Sequence, residues 1–332
     1  MFSSIMALGA LLLTLSMTVV ASPVQLSRRV KFNLDSAPPN DKAKSRSEIS
    51  SELLSNFTLF AQFAALSACD QNINATGNKL TCDYDGCGLV EDDDTETIFT
   101  FHNATGPTGY IALNHTRKLT VLTFRGTVSK YDGETDFKYQ FTAIEDVCPG
   151  CNAHEGFWGY WSSAADVIIS ELRSATTSHP DYSLTVVGHS LGGAVATLAG
   201  TILRTKGFSL DIWTFGSPKV GNYKLAEFIT NQRAPVSVYR ATHYTDVVPK
   251  LPLTLTLLGF DYSHPSPEYW IDQPTGEKVT TDVVKFIEGI NSLAGNAGQH
   301  VWIQWPDPNH GWYFGNMSVC PTPADSPPPE DS

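Results

Sequence analysis

One short segment of this sequence restricts the possible fold more than any other. Residues 188–192 read GHSLG and stand between an apolar, strand-like run, residues 183–187, and a helix-forming run of small residues, 193–199. A serine between two glycines at such a junction is typical of a nucleophile elbow, where a Cβ at either flanking position would collide with the strand or the helix. The strand and helix around it favour this interpretation over an ordinary turn serine. We therefore predict Ser190 as a nucleophile, with the N–H of Leu191 turned toward a developing oxyanion.

Strand-like and helix-like segments alternate along the chain. Helical spacing of apolar residues covers Ser47 to Ala68, about Phe157 to Thr177 and the stretch after Ser190, and strand-like runs occupy 97–101, 109–113, 118–124, 184–187, 211–215 and 237–242. These strands are apolar through the middle, which indicates a mostly parallel sheet covered by helices on both faces. The sequence predicts a single α/β domain with Ser190 at the carboxyl end of a central strand.

The two ends of the chain have a different composition from the middle. Residues 1–21 hold an apolar stretch that ends in Val19-Val20-Ala21, which is typical of a cleaved signal peptide, and the stretch is short for the alternative, a membrane anchor. Arg28-Arg29 either closes a propeptide over 22–29 or is an ordinary exposed basic pair. The folded domain is then expected over 30–320, and the tail 321–332, rich in Pro, Asp and Ser, is expected to be disordered.

Six cysteines suit an oxidising, extracellular compartment. Several pairings are open from the sequence, but local spacing favours Cys82–Cys87 and Cys148–Cys151 and leaves Cys69–Cys320. The CPGC segment at 148–151 would also suit a redox motif or half a zinc site, although no second CxxC accompanies it. Sequons for N-glycosylation begin at five positions, which also indicates a secreted glycoprotein: Asn56, Asn74, Asn103, Asn114 and Asn316.

The formal net charge of −12 argues against nucleic acid or an anionic membrane surface as a partner. Part of the acidity lies in the run Glu91 to Asp94. That run lacks the alternating ligand spacing of a calcium loop, so a solvated acidic turn is favoured over a calcium site.

A serine hydroxyl is a weak nucleophile at neutral pH, so Ser190 needs a histidine base and a carboxylate that orients the imidazole. After a nucleophile elbow, the acid and then the histidine follow in chain order. Asp246 comes directly after the predicted strand 237–242 and is preferred as the acid, a surface or capping aspartate being the alternative. His310 lies in a proline-bounded loop shortly before Cys320 and is preferred as the base.

The remaining histidines near these positions are given other roles. His243 is too close to Asp246 in sequence to face it, and His189 is expected to pack beneath Ser190; His264 and His300 remain minor alternatives as the base. A second oxyanion donor is expected where the strand 118–124 ends, since Gly126 permits close backbone approach and Thr127 offers an N–H and a hydroxyl.

Six stretches of the sequence resemble the secreted fungal class 3 lipases, relatives of the Thermomyces and Rhizomucor enzymes that include feruloyl esterases. They are FRGT at 124–127, GHSLGGA at 188–194, TFGSPKVGN at 214–222, HYTDVVPKLP at 243–252, SHPSPEYW at 263–270 and HGWYFG at 310–315. The resemblance implies an α/β-hydrolase fold, the triad and the disulfides named above, and no metal or organic cofactor. It also implies an oxyanion hole formed by Thr127 and Leu191.

Two segments bear on the substrate and point in different directions. Residues 128–136 replace the amphipathic, tryptophan-bearing lid of the lipases with the polar VSKYDGETD, which resembles the flap of feruloyl esterases. Residues 251–260, LPLTLTLLGF, are unusually apolar and are either a buried strand or an exposed rim that would offer acyl chains an apolar wall or contact lipid.

The sequence thus predicts a secreted carboxylic ester hydrolase that uses an acyl-enzyme mechanism. Acylglycerols are the leading substrates, feruloyl-type esters the alternative, and a non-catalytic binding glycoprotein on the same fold the alternative of another class. The expected partners are the ester substrate and a lipid–water interface. No obligate protein partner is indicated.

Overall fold

A nine-stranded sheet is the central element of the structure, a computed structural model that describes residues 45–46, 48–74, 76–83, 85–102, 106–126, 140–232, 237–300 and 307–320. Its strands follow the order β1-β11-β10-β9-β8-β7-β4-β3-β2, and β5 and β6 form a separate hairpin. The strand bounds are β1 Ser45–Arg46, β2 Thr95–Phe101, β3 Gly109–Asn114, β4 Leu119–Phe124, β5 Phe141–Ala143, β6 Asn152–His154, β7 Ser183–His189, β8 Leu210–Phe215, β9 Val238–His243, β10 Glu268–Ile271 and β11 Val284–Ile287.

The five central strands, β4, β7, β8, β9 and β10, are parallel, and the strands at both edges are antiparallel. The carboxyl ends of β4, β7 and β9 therefore meet at one edge of the sheet. Gly126 follows β4, Ser190 follows β7 and Asp246 follows β9. The topology thus brings together three positions that lie far apart in the sequence.

Helices cover the sheet on both faces. Their bounds are α1 Ser51–Leu66, α2 Asp70–Ile73, α3 Gly88–Glu91, α4 Glu155–Ser178, α5 Leu191–Thr205 and α6 Tyr223–Asn231. The neighbouring residues Val186 and Val187 of β7 are both fully buried, but the first packs in the core with α4 and α5 and the second in the core with α1. Alternating side chains of one strand thus serve two cores, as a sheet covered on both faces requires.

The predicted fold class is confirmed, with small shifts in the element bounds. The N-terminal helix begins at Ser51 rather than Ser47 because the hydroxyl of Ser50 caps it, accepting a hydrogen bond from the N–H of Leu53 at 3.1 Å. The short strands β1, β5, β6, β10 and β11 carry too few residues for a clear alternating pattern. Among the described helices, none has the length and hydropathy that a membrane span would need.

Three disulfides are present: Cys82–Cys87 and Cys148–Cys151, which local spacing favours, and Cys69–Cys320, the pair that these two leave. The last links residues 251 positions apart and ties the chain after α1 to the segment that carries His310. The CPGC segment therefore forms a local disulfide and not half a zinc site. The signal peptide, the propeptide and the disordered tail predicted above lie outside the described residues.

Candidate active site

Ser190 is the single residue between β7 and α5, and its backbone is strained, with φ 57° and ψ −128°. The flanking glycines are required by close backbone contacts. A Cβ on Gly188 would lie 2.2 Å from the carbonyl oxygen of Gly192, and a Cβ on Gly192 would lie 2.1 Å from the carbonyl oxygen of Phe124. The sequence pattern thus marks a turn that only glycine can complete at these two positions.

His310 joins Ser190 to Asp246 through both of its ring nitrogens. Nε2 lies 2.8 Å from Oγ of Ser190, and Nδ1 lies 2.9 Å from Oδ2 of Asp246. In the neutral imidazole this geometry corresponds to an Nδ1–H that donates to the carboxylate and an Nε2 that accepts from the serine hydroxyl. The three predicted triad residues are therefore brought together by β7, by the loop after β9 and by the loop that precedes Cys320.

Asp246 is fully buried and accepts hydrogen bonds from three sides. Besides His310, the hydroxyl of Tyr313 donates to Oδ2 at 2.5 Å, and the N–H of Val248 donates to Oδ1 at 2.9 Å. Burial opposes ionisation, but His310 and these two donors outweigh it and hold the pKa of Asp246 below its usual value. The buried carboxylate therefore stays charged beside the imidazole.

The charge of Asp246 in turn affects the pKa of His310. Burial of the His310 ring opposes protonation, but the neighbouring carboxylate outweighs this and raises the pKa of His310. Such an imidazole is a better proton acceptor than free histidine, provided that the pH leaves it neutral.

Two further histidines hold the backbone of the His310 loop. Nε2 of His189 lies 2.8 Å from the carbonyl oxygen of His310, and Nδ1 of His243 lies 2.8 Å from the carbonyl oxygen of Asn309. Burial lowers the pKa of His189 to about 3, so its ring is neutral and donates an N–H to that carbonyl. The ring of His189 also packs against the ring of His310, with the ring centroids 4.6 Å apart.

Asp307 is part of the site and was not identified from the sequence. One of its oxygens accepts from the N–H of Val247 at 3.0 Å, and the other accepts from the N–H of Asn309 at 2.9 Å. This carboxylate thus ties the loop of Asp246 to the loop of His310. The available signal was an aspartate between two prolines, three residues before the histidine, in a loop that needs turn-forming residues.

Two backbone segments border Ser190 on the side where an oxyanion is expected. The N–H of Leu191 belongs to the first turn of α5, where no carbonyl lies one turn earlier in the helix to accept it. A Cβ on Gly126 would lie 3.4 Å from Cβ of Ser190, so the backbone after β4 passes directly beside Ser190. Thr127 is outside the described residues, as is the polar segment 128–136.

The two minor alternatives for the base lie elsewhere. His264 is buried, with Nε2 2.6 Å from the carbonyl oxygen of Pro249, and His300 is exposed. Neither has a hydrogen bond to Ser190 or Asp246 in the part of the chain that the structure describes.

Known proteins resemble this chain over most of its length. The family described as Lipase (class 3) matches residues 121–256. The secreted mono- and diacylglycerol lipase A of Penicillium cyclopium is 40% identical over 277 residues, which cover 82% of this chain and 88% of that protein. The chain belongs to the class 3 lipases. The secreted mono- and diacylglycerol lipase 1 of Fusarium solani is 36% identical, over 82% of this chain and 79% of that protein.

A solved lipase structure shares the fold as well as the sequence. The crystal structure of the mono- and diacylglycerol lipase from Aspergillus oryzae superposes with a TM-score of 0.75 at 36% identity, covering 82% of this chain and all of that one (100%). This class 3 lipase therefore has the α/β-hydrolase fold and is a secreted carboxylic ester hydrolase. The alternative of a non-catalytic binding glycoprotein is set aside.

Residues 251–260 of this lipase do not form a buried strand. A one-turn 3-10 helix at Thr256–Leu258 occupies the middle of the segment, and the side chains of Leu257 and Leu258 are 99% and 69% exposed. The alternation of leucine and threonine therefore does not reflect a strand, because these residues turn outward at a loop tip. The exposed interpretation of this segment is correct.

Two surface predictions need correction. Asn114 is fully buried in β3, where its side-chain amide donates to Asp93 at 2.8 Å, so this sequon is not accessible to a sugar in the folded chain. Asp93 itself is buried and paired with Arg117, so the acidic run is not simply a solvated turn. Asn74 and Asn316 are exposed, Asn56 is half-buried in α1, and Asn103 lies outside the described residues.

Proposed function

We propose that this lipase hydrolyses acylglycerols through a covalent acyl-serine intermediate. Oγ of Ser190 attacks the ester carbonyl carbon while its proton passes to Nε2 of His310, and the departing glycerol oxygen takes that proton when its bond to the acyl carbon breaks. A water molecule then gives a proton to the same nitrogen and attacks the acyl-serine, which releases the fatty acid and regenerates the hydroxyl. Asp246 keeps Nδ1 protonated and stabilises the transient imidazolium.

One observation carries the proposal: a single imidazole lies 2.8 Å from a strained serine hydroxyl and 2.9 Å from a buried carboxylate. The strained elbow holds Oγ in front of the helix N-terminus, where the N–H of Leu191 can donate to the oxyanion of the tetrahedral intermediate. The N–H of Thr127 is the expected second donor. Each donor of this kind stabilises the transition state by about 3 kcal/mol.

Mono- and diacylglycerols are the proposed substrates. The relatives from Penicillium and Fusarium, at 40% and 36% identity, are named for activity on these two classes. Partial acylglycerols carry free hydroxyls and are more polar than triacylglycerols. Segment 128–136 is polar and lacks the apolar side chains of a lipid-binding lid. Such a segment suits a more polar substrate.

Feruloyl-type esters are the second candidate, and the same segment, 128–136, is the observation that favours them. A polar segment without tryptophan does not depend on an oil surface, so a soluble aryl ester would reach Ser190 directly.

We also propose that residues 1–21 are removed on secretion and that Asn74 and Asn316, which are exposed, carry sugar.

Turnover on a matched panel of esters tests the proposal. The purified secreted enzyme is assayed on emulsified mono-, di- and triacylglycerol of one acyl chain, on p-nitrophenyl esters of increasing length and on methyl ferulate, with Ser190→Ala as the blank. We expect mono- and diacylglycerol to be cleaved fastest and methyl ferulate to remain near the blank. Rapid ferulate turnover with inert emulsions would instead support the feruloyl candidate, and activity in the blank would refute the role of Ser190.

A further inference from the structure

A pair of adjacent leucines stands out from the rest of the described surface. Leu257 and Leu258 are the two most exposed large hydrophobic side chains in the described part of the chain. They lie in the four exposed residues Thr256–Gly259, here called the leucine tip. Burying a leucine is favourable by about 1.5–3 kcal/mol, so a fold that keeps two of them in water leaves that free energy available for binding.

The leucine tip is held by its own backbone. The N–H of Leu255 donates to the carbonyl of Phe260 at 2.7 Å, and the N–H of Phe260 returns a bond of 3.2 Å. Gly259 closes the turn with φ 83°, which a side chain would strain. The tip is therefore a closed hairpin-like turn, and its leucines are displayed by hydrogen bonds within the loop.

The base of the loop is fastened to the body of the protein by a buried lysine. Nζ of Lys219 donates to the carbonyls of Lys250 and Pro252 at 3.0 and 3.1 Å, and to Oγ1 of Thr254 at 3.3 Å. That threonine hydroxyl in turn donates to the carbonyl of Tyr262 at 2.7 Å. These contacts hold the backbone of the loop on both sides of the tip, so its base is fixed to the body of the protein.

The loop follows Asp246 closely in the chain and contacts the residues that lead into β5. It starts directly after the short helix Val248–Lys250, which follows Asp246. Phe260 packs against Phe141 with the ring centroids 6.0 Å apart, and the hydroxyl of Tyr262 donates to the carbonyl of Gln140 at 3.2 Å. The loop that carries the tip is therefore packed against the start of the β5–β6 hairpin as well as joined to the segment after Asp246.

The charge of the loop and of the chain restricts what the tip can contact. Residues 251–260 contain no charged side chain, whereas the whole chain carries a formal charge of −12. A negatively charged membrane would repel such a chain, and no basic residue in the loop would offset this. A neutral layer of acylglycerol and zwitterionic lipid carries no such penalty and accepts apolar side chains.

We propose that the leucine tip inserts into a neutral lipid layer that contains acylglycerol and thereby holds the entrance to Ser190 against that layer. The inference rests on the proposed function in that acylglycerol is taken as the substrate. It assigns surface binding to the loop that follows Asp246 in the chain, independently of residues 128–136. The loop is then an anchor whose leucines are already exposed before the enzyme binds lipid.

Flotation with neutral droplets tests the anchor. The Ser190→Ala enzyme, which leaves the lipid intact, is mixed with droplets of phosphatidylcholine and diacylglycerol, and the bound fraction is measured with and without Leu257→Ser/Leu258→Ser. We expect the double substitution to weaken partitioning by about a hundredfold or more, because each inserted leucine contributes about 1.5 kcal/mol, which corresponds to about tenfold. In the active enzyme, turnover of a p-nitrophenyl ester in true solution should change less than twofold.

Two control variants separate insertion from general hydrophobicity. Leu89→Ser/Val167→Ser removes two other exposed apolar side chains, on α3 and α4, and should leave partitioning unchanged. Leu257→Trp adds a side chain suited to lipid interfaces and should strengthen partitioning. The fluorescence of the added tryptophan should be quenched by brominated lipid.

Three outcomes would overturn the proposal. The first is a double variant that floats like its parent, and the second is a parent that floats only with anionic lipid. The third concerns the oligomeric state. If the parent sediments as a dimer and the double variant as a monomer, while both float equally well, the tip is a contact between two copies of the chain. Failure of the proposed function would look different, since the active parent would then fail to cleave any acylglycerol while flotation still reported on the tip.

Discussion

The leucine tip follows Asp246 closely in the sequence, yet the triad loops and the tip are held in different ways. Around Asp246 each carboxylate oxygen has a donor, and His310 is held through its ring and through its carbonyl. At the tip, by contrast, hydrogen bonds hold only the base, and the side chains of Leu257 and Leu258 are left in water.

The difference follows from what each region does. Proton transfer requires atoms placed to within a few tenths of an ångström, and buried polar groups are costly unless they are fully bonded. Contact with a fluid lipid layer has no such geometric demand and depends on exposed apolar area. Substitutions around the triad should therefore strongly reduce activity or stability. Substitutions at the tip should have little effect on folding.

The largest effect is expected when the nucleophile is removed. Ser190→Ala should lower kcat/KM by a factor of about 10⁴ or more, because no other group in the site can form the acyl intermediate. Hydrolysis of a soluble p-nitrophenyl ester measures this, and the thermal unfolding midpoint should be retained. Residual activity within tenfold of the parent would disprove the assignment of the nucleophile.

The elbow should tolerate almost no added volume. Gly192→Ala places a Cβ 2.1 Å from a backbone oxygen, so we expect the free energy of unfolding to fall by about 3 kcal/mol or more, or the chain not to fold. Gly159→Ala is the matched control, since its Cβ would meet nothing within 4 Å near the start of α4 and should stabilise the helix by about 0.5–1 kcal/mol. Urea unfolding compares the two, and equal stabilities would contradict the packing described.

A smaller effect is expected from one donor to the catalytic carboxylate. Tyr313→Phe removes the hydroxyl that donates to Asp246, and we expect kcat/KM to fall about tenfold, as is typical of a hydrogen bond to a charged group. Tyr110→Phe removes an equally buried hydroxyl, which donates to the carbonyl of Phe63, and should reduce stability but not kcat/KM. If both variants lost activity equally, the contact with Asp246 would have no special role.

The pH dependence should respond to Asp307. The negative charges of Asp246 and Asp307 raise the pKa of His310, and catalysis needs the neutral ring, so kcat/KM should fall with acid from above the usual histidine value of 6.5. Asp307→Asn removes one of those charges, which should lower the pKa of His310 and move this acid limb to lower pH. Asp307→Glu keeps the charge and should move the limb less. A limb that shifts upward in the asparagine variant would contradict the electrostatic account.

The smallest effect on folding is expected at the tip. Leu257→Ser/Leu258→Ser should change the free energy of unfolding by less than about 0.5 kcal/mol, because neither side chain is packed against the protein. Chemical denaturation measures this directly. A loss of several kcal/mol would mean that these leucines belong to a core, and the contrast between the two regions would disappear.

Much of the site could be predicted because its backbone requirements produce short, local sequence patterns. Two glycines around Ser190, a proline after Asp246 and prolines around His310 each reflect a backbone constraint that a few neighbouring residues express. Asp307 left only a weak mark, because its partners Val247 and Asn309 meet through the fold and one of them is some sixty residues away in sequence. Asn114 misled for the same reason, since a sequon motif carries no information on burial.

By itself, the sequence determined the longer strands and the main helices, the glycine-flanked elbow and the three side chains proposed to react, because periodicity and glycine spacing are local properties. Only the tertiary structure decided that His189 and His243 hold the His310 loop, that Lys219 fastens the loop at 251–260 and that its leucines face water. These arrangements depend on contacts between residues distant in the chain. Whether a leucine is core or surface depends on what the rest of the fold places beside it.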